Sequence, residues 1–176
     1  IGSMLRQRAT VSPQLEAYVE PSTDVRMTYT EMNALANRCA NMLTSLGIGK
    51  GDRVALLLPN SVEFCCLFYG AAKIGAVVVP LNTRLAAPEL DFILSDSGAT
   101  VVIYGAEFST VVEAIEAGPD SSCAVSHWVP EGGCLLYTAD AADGPPRVAP
   151  GGRRIRQNKK KTKQRSRTRE GLSTAT

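Results

Sequence analysis

Apolar residues at spacings of three and four run from Met32 to Leu46: Met32, Leu35, Ala36, Cys39, Met42, Leu43 and Leu46 share one face of a predicted helix. Its start is marked by Thr28-Tyr29-Thr30-Glu31, which fits a capping box, and Gly47 or Gly49 can end it. Arg53–Leu58 shows no alternation, which points to a strand buried on both faces, as in a parallel sheet. Pro59-Asn60-Ser61 breaks that strand and supplies a cap for Val62–Ile74, a segment apolar almost all round and so a buried helix, closed by Gly75. Ala76–Pro80 and Thr100–Tyr104 are two more unalternating runs that predict buried strands. Pro88–Ser97, with Leu90, Ile93 and Leu94 inward, and Phe108–Ala117, stopped by Gly118 and Pro119, predict the helices that follow them.

Upstream, Met4–Val11 predicts a short helix stopped at Ser12-Pro13, and Ala17–Val19 and Val25–Thr28 predict short strands around the turn residues 21–24. The order from Arg53 onward is β-α-β-α-β-α with short connections, so the expected fold class is α/β: a parallel β-sheet flanked by helices, with right-handed crossovers.

Charge divides the chain. Residues 1–133 carry 8 basic and 14 acidic side chains, a net of −6, and residues 134–176 carry 11 basic and 3 acidic, a net of +8. The overall +2 describes neither part. From Pro145 the chain is rich in proline, glycine and bases with few apolar residues, so residues 134–176 are expected to form a disordered basic tail. Two domains follow: 1–133, a folded α/β segment, and 134–176, the tail.

Five cysteines (Cys39, Cys65, Cys66, Cys123, Cys134) show no CxxC spacing, and the adjacent Cys65 and Cys66 lie in the apolar helix, where buried thiols are expected rather than a disulfide or metal site. No apolar run has the length of a membrane span, and residues 1–20 lack a secretory signal pattern. These features fit a reducing cytoplasm. Arg6 and Arg8 are candidates for weak contact with a membrane surface, weighed against the ordinary role of solvated helix charges. His127, the single histidine, has no partner acid, serine or cysteine arrangement and is expected to be a packing or surface residue.

The run from Thr28 to Tyr104 resembles the AMP-forming acyl-CoA synthetase family. Met27–Met32 is similar to its "TY-x-EL" opening, Gly47–Ala55 to "G-x-x-x-GDRVA", Leu58–Phe64 to "LPNS-x-EF" and Gly75–Asn82 to "GAV-x-VPLN"; Glu89-Leu90 and Asp96-Ser97-Gly98-Ala99 complete the order. The match runs from about Met4 to about Trp128 and resembles most the mycobacterial-type long-chain fatty acyl-CoA ligases, notably across Met4–Val11 and Ser61–Lys73. The resemblance implies a part of the large N-terminal domain of an adenylating enzyme. It also implies ATP, Mg2+ and coenzyme A as cofactors and a fatty acid as substrate. A carboxylate attacks the α-phosphate of ATP, and the thiol of coenzyme A then displaces AMP from the acyl-adenylate. Physically, though, these motifs are turns, caps and strand starts; none holds a group poised for acid–base work.

The family's "YTSGTTGxPKG" phosphate loop is expected next. Tyr137–Arg147 opens correctly with Tyr-Thr, but Asp140 and Asp143 stand where phosphate would bind and Pro146 takes the place of the lysine. The segment is rejected as a phosphate loop. No catalytic, cofactor-binding or metal-ligating residue is assigned, and the chain alone is expected to be inactive, a fragment that binds none of these ligands tightly. Cys134–Thr138 with Asp140–Asp143, then Arg147-Val148, 151–155 and the lysines at 159–161, resembles the in-frame translation of a transposon-based sequencing adapter. The tail is therefore expected to be read-through, not a selected nucleic-acid ligand, although its Lys/Arg runs would attract phosphates. Two alternatives are a small nucleotide-binding α/β domain and an interaction module with a basic tail. The first lacks G-x-G-x-x-G or G-x-x-x-x-G-K-[ST] after its first strand, where Leu58-Pro59-Asn60-Ser61 stands instead.

Overall fold

The computed structural model describes residues 1–21, 23–118 and 123–131. The phosphate-loop candidate at 137–147 and the tail from Cys134 lie outside them. The described elements are α1 (Met4–Val11), β1 (Glu16–Glu20), β2 (Val25–Thr28), α2 (Tyr29–Ser45), β3 (Arg53–Leu57), α3 (Val62–Ile74), β4 (Val77–Pro80), α4 (Ala87–Ser97), β5 (Val101–Tyr104), a 3-10 turn (Ala106–Phe108), α5 (Ser109–Ala117) and β6 (His127–Pro130).

β1 and β2 form an antiparallel hairpin, and β4-β3-β5-β6 form a parallel sheet in that spatial order. Strand periodicity sorts the sheet's side chains into two layers. Val54, Leu56, Val101, Ile103 and Val129 join α1, α2 and α3 on one face. Ala55, Leu57, Val102 and Trp128 join α4 and α5 on the other. Both faces are covered, which is why β3 and β5 read as unbroken apolar runs.

Two expectations need correction. β4 is not buried on both faces: among the described residues it is an outer strand, with Val77 half exposed and Pro80 at its exposed end. Proline is tolerated there because an outer strand need not donate on its free side. β6 is a fourth strand that the pattern did not reveal, pairing His127 through Pro130 with Val101 through Tyr104.

The predicted caps form. Thr28 Oγ1 accepts from the Glu31 amide at 3.3 Å, and Glu31 Oε2 accepts from the Thr28 amide at 2.8 Å. Ser61 Oγ accepts from the Phe64 amide, and Gly75 closes α3 with a φ of 77°, in the left-handed region that favours glycine. Gly47, not Gly49, carries the positive φ after α2.

The capping box has a pH signature. Hydrogen bonds from the Thr28 amide and hydroxyl hold the Glu31 carboxyl below its ordinary range. A carboxyl depressed in the folded state stabilises fully above its unfolded value, and that contribution is lost as pH falls through the folded one. Glu31→Gln is therefore expected to lower the urea midpoint at neutral pH, with the difference from the parent shrinking as both are acidified through that range. A gap that stays constant with pH would show that the charge contributes nothing.

Arg53 ties the sheet's amino edge together. Its Nε donates to Ser97 O at 3.1 Å, Nη2 to Gly98 O at 2.8 Å and Nη1 to Gly51 O at 3.2 Å. One planar guanidinium thus holds the start of β3 against the carboxyl end of α4, whose last carbonyls have no partner within the helix.

Candidate functional site

In an open parallel sheet, ligands collect beyond the carboxyl ends of the strands where the connections diverge. Here β3 runs through α3 to β4 on one side, while β5 lies on its other side, so the seam between β3 and β5 is that place. Leu58-Pro59-Asn60-Ser61 leaves β3 there and opens α3; Gly105 leaves β5, its amide donating to Leu57 O at 3.0 Å; Glu131 follows β6.

The electrostatics of this edge are acidic. Burial pushes the Glu131 carboxyl up, and the charges of Glu63 and Glu107 push it further. These three carboxylates come from three elements: the first turn of α3, the 3-10 turn and the end of β6. The Glu107 carboxylate folds back over Gly105, where a Cβ would stand 2.6 Å from Oε2. Tyr18 of β1 is drawn into the same field: burial raises its hydroxyl first, then Glu20, Cys65 and Glu63. Arg84 follows β4 at the sheet's outer edge, its amide donating to Asn82 Oδ1 at 3.0 Å.

Polyphosphate needs gathered donors and cations, and Mg-ATP therefore does not fit the residues described at this edge. Nor do the described residues hold a group of three His, Cys, Asp or Glu arranged for a metal ion.

A shallow hollow of about 490 Å³ lies against α4, lined by Leu85, Pro88, Glu89, Phe92 and Ile93. Its one charged group is already used, since Glu89 Oε2 accepts from the Ala86 amide at 2.9 Å and caps the helix. Phe92 is 70% exposed.

Of the remaining sequence candidates, His127 and Arg8 have structural partners. His127 starts β6 at the amino edge, opposite the ligand edge, with Nδ1 2.9 Å from Ser126 Oγ. The Ser126 hydroxyl donates to Thr100 O, so the histidine closes a loop and does not activate a nucleophile. Arg8, at the surface, lies 5.0 Å over the Tyr29 ring, a cation–π contact within the protein. No described helix is long and apolar enough to cross a membrane. Arg53 and Gly70 (in α3, against α2), both decisive for packing, were missed; the only sequence signal for Arg53 was its place in the GDRVA motif.

The family model for AMP-binding enzymes matches residues 5–166. The long-chain-fatty-acid–CoA ligase FadD13 of Mycobacterium tuberculosis is 67% identical over 152 residues, covering 86% of this chain and 30% of the ligase. A feruloyl-CoA synthase from an Amycolatopsis species is 42% identical over 118 residues, covering 67% of this chain and 24% of the synthase. A crystal structure of the N-terminal domain of FACL13 from Mycobacterium tuberculosis superposes with a TM-score of 0.78 at 67% identity, covering 86% of this chain and 38% of that domain. The chain thus spans less than a third of the length of the curated relatives it matches. With the parallel sheet, its two helical layers and a family match running over most of its length, the chain belongs to the AMP-binding enzyme family.

Proposed function

We propose that this chain is the opening segment of a fatty acid–CoA ligase and that it contributes scaffold, not chemistry. The observation that carries the ligase assignment is the 67% identity to FadD13 across 86% of the chain. The parent reaction on this reading joins a fatty acid to coenzyme A at the expense of ATP, releasing AMP and pyrophosphate. Magnesium would accompany the nucleotide, and the enzyme would work in the cytoplasm.

Supporting the scaffold role is the field at the carboxyl edge. A triphosphate approaching Glu63, Glu107 and Glu131 meets charge of its own sign. The described residues of that edge supply hydrogen-bonded caps and strand ends, and these groups are already committed to the fold.

ATP–pyrophosphate exchange driven by long-chain fatty acids tests the proposal. The purified chain is expected to give exchange at the background rate while an intact ligase of the family, assayed beside it, exchanges well above background. Exchange by the chain itself, dependent on fatty acid, would refute the scaffold role. The organisation into 1–133 and 134–176, with the second part as adapter read-through, is a separate proposal. A genomic read across codon 133 that keeps the codons of residues 134–143 would end it.

A further inference from the structure

The helical layer above the sheet contains two cysteines that the proposed function does not use. Cys39 of α2 and Cys66 of α3 are 1% and 0% exposed and belong to one apolar cluster. Two contacts set how the helices run. Lys73 Nζ donates to Asn33 Oδ1 at 2.7 Å, near the end of α3 and the start of α2. One turn earlier in α3, a Cβ on Gly70 would stand 2.7 Å from Cys39 Cβ. Residue numbers thus fall along α3 as they rise along α2, so the helices are antiparallel. Cys66 lies one turn before Gly70 on the same face and is carried to the stretch of α2 around Cys39 and Leu43. The missing side chain at Gly70 brings the two backbones close beside Cys39, and Cys66, one turn along α3, packs in the same apolar cluster as Cys39; a disulfide between them needs their Cα atoms within about 7 Å.

We propose that Cys39 and Cys66 form a latent disulfide that joins α2 to α3 when a peroxide reaches the layer. One thiolate takes an oxygen from hydrogen peroxide, giving a sulfenic acid and hydroxide. The second sulfur then attacks the first and displaces that oxygen as water, leaving an S–S bond. Two thiols lose their hydrogens, sulfur is oxidised, and peroxide is reduced to two waters. Burial, with Cys39 beside it, pushes the Cys66 thiol up, so reaction waits on local opening of the helix pair and is slow. Once made, the cross-link restricts the unfolded chain and resists further opening.

The test uses the full chain and a Cys65→Ala variant, which removes the adjacent thiol. Both are exposed to hydrogen peroxide under native conditions, unfolded in alkylating reagent, digested without reduction and analysed by mass spectrometry. A Cys39–Cys66 peptide pair is expected in both. The thermal midpoint should rise and return to its starting value with dithiothreitol, a change that Cys39→Ala and Cys66→Ala each abolish. Pairing of Cys66 with any other cysteine overturns the proposal, as does oxidation of either residue to a sulfinic acid. So does the persistence of both thiols after Cys123 has been oxidised.

Discussion

Gly70→Val is expected to lower the stability of the chain by about 3 kcal/mol or more, the upper end of what overpacking costs and enough to leave a marginal domain largely unfolded. Helix propensity argues the other way. Glycine in the middle of α3 is about 1 kcal/mol worse than alanine, so propensity alone would make Gly70→Ala stabilising. Packing decides the sign. A Cβ at residue 70 would lie 2.7 Å from Cys39 Cβ, 2.9 Å from Ala36 O and 3.0 Å from Ala40 N, all on the facing helix. Two of these three neighbours are backbone atoms, which cannot rotate away. Relief requires α2 and α3 to separate, and theirs is the most extensive helix–helix contact in the described fold. Separation would loosen Cys39, Leu43, Cys66 and Leu67 together. Gly70→Ala is therefore expected to destabilise, by less than the valine, despite its better propensity. Urea unfolding followed by far-UV circular dichroism gives both values; an alanine variant more stable than the parent would show that the helices are not in close contact at this point.

Gly70 also marks where sequence reasoning stops. Gly75 and Ser61 were legible because a helix end makes local demands: a left-handed residue to leave it and a side-chain oxygen to enter it. The Thr28–Glu31 box is equally local, with both partners within one turn. The burial of β3 and β5 was legible because both faces of each strand are apolar. A mid-helix glycine, by contrast, has meaning only through what another helix places opposite it.

The same holds for β6. His127-Trp128-Val129-Pro130 begins with a polar ring and ends with proline, so its composition resembles a loop, and only the neighbouring β5 makes it a strand. The outer position of β4 follows from topology, since Val77-Val78-Val79 would read the same at the centre of a sheet. Arg53 carries no local sign that its three donors reach carbonyls on two different turns. The ligand edge fared differently. Motifs bore only on the phosphate loop, whereas the convergence of Glu63, Glu107 and Glu131 is a tertiary fact, drawn from residues far apart in the chain.

The layered arrangement itself makes the other large prediction, that Leu56→Ala costs about 4 kcal/mol, in the upper part of the range for a buried leucine. Leu56 is fully buried on the inner strand β3. Its backbone neighbours in register are Pro80 of β4 and Ile103 of β5, and its side chain points into the layer beneath α2 and α3. The cost of a deleted side chain depends on whether its surroundings can close over the gap. Strands on both sides hold the backbone of β3 in place, and the helices above are held by their own contact at Gly70, so little collapse is open to them. Val77→Ala on the outer strand removes a side chain already half in water and is expected to cost under about 1 kcal/mol. Equal urea m-values with separated midpoints would assign the difference to the folded state, because m follows the surface exposed on unfolding. If the two variants lost the same stability, Leu56 would not lie between strands and helices, and the assignment of alternate β3 residues to opposite layers would have to be abandoned.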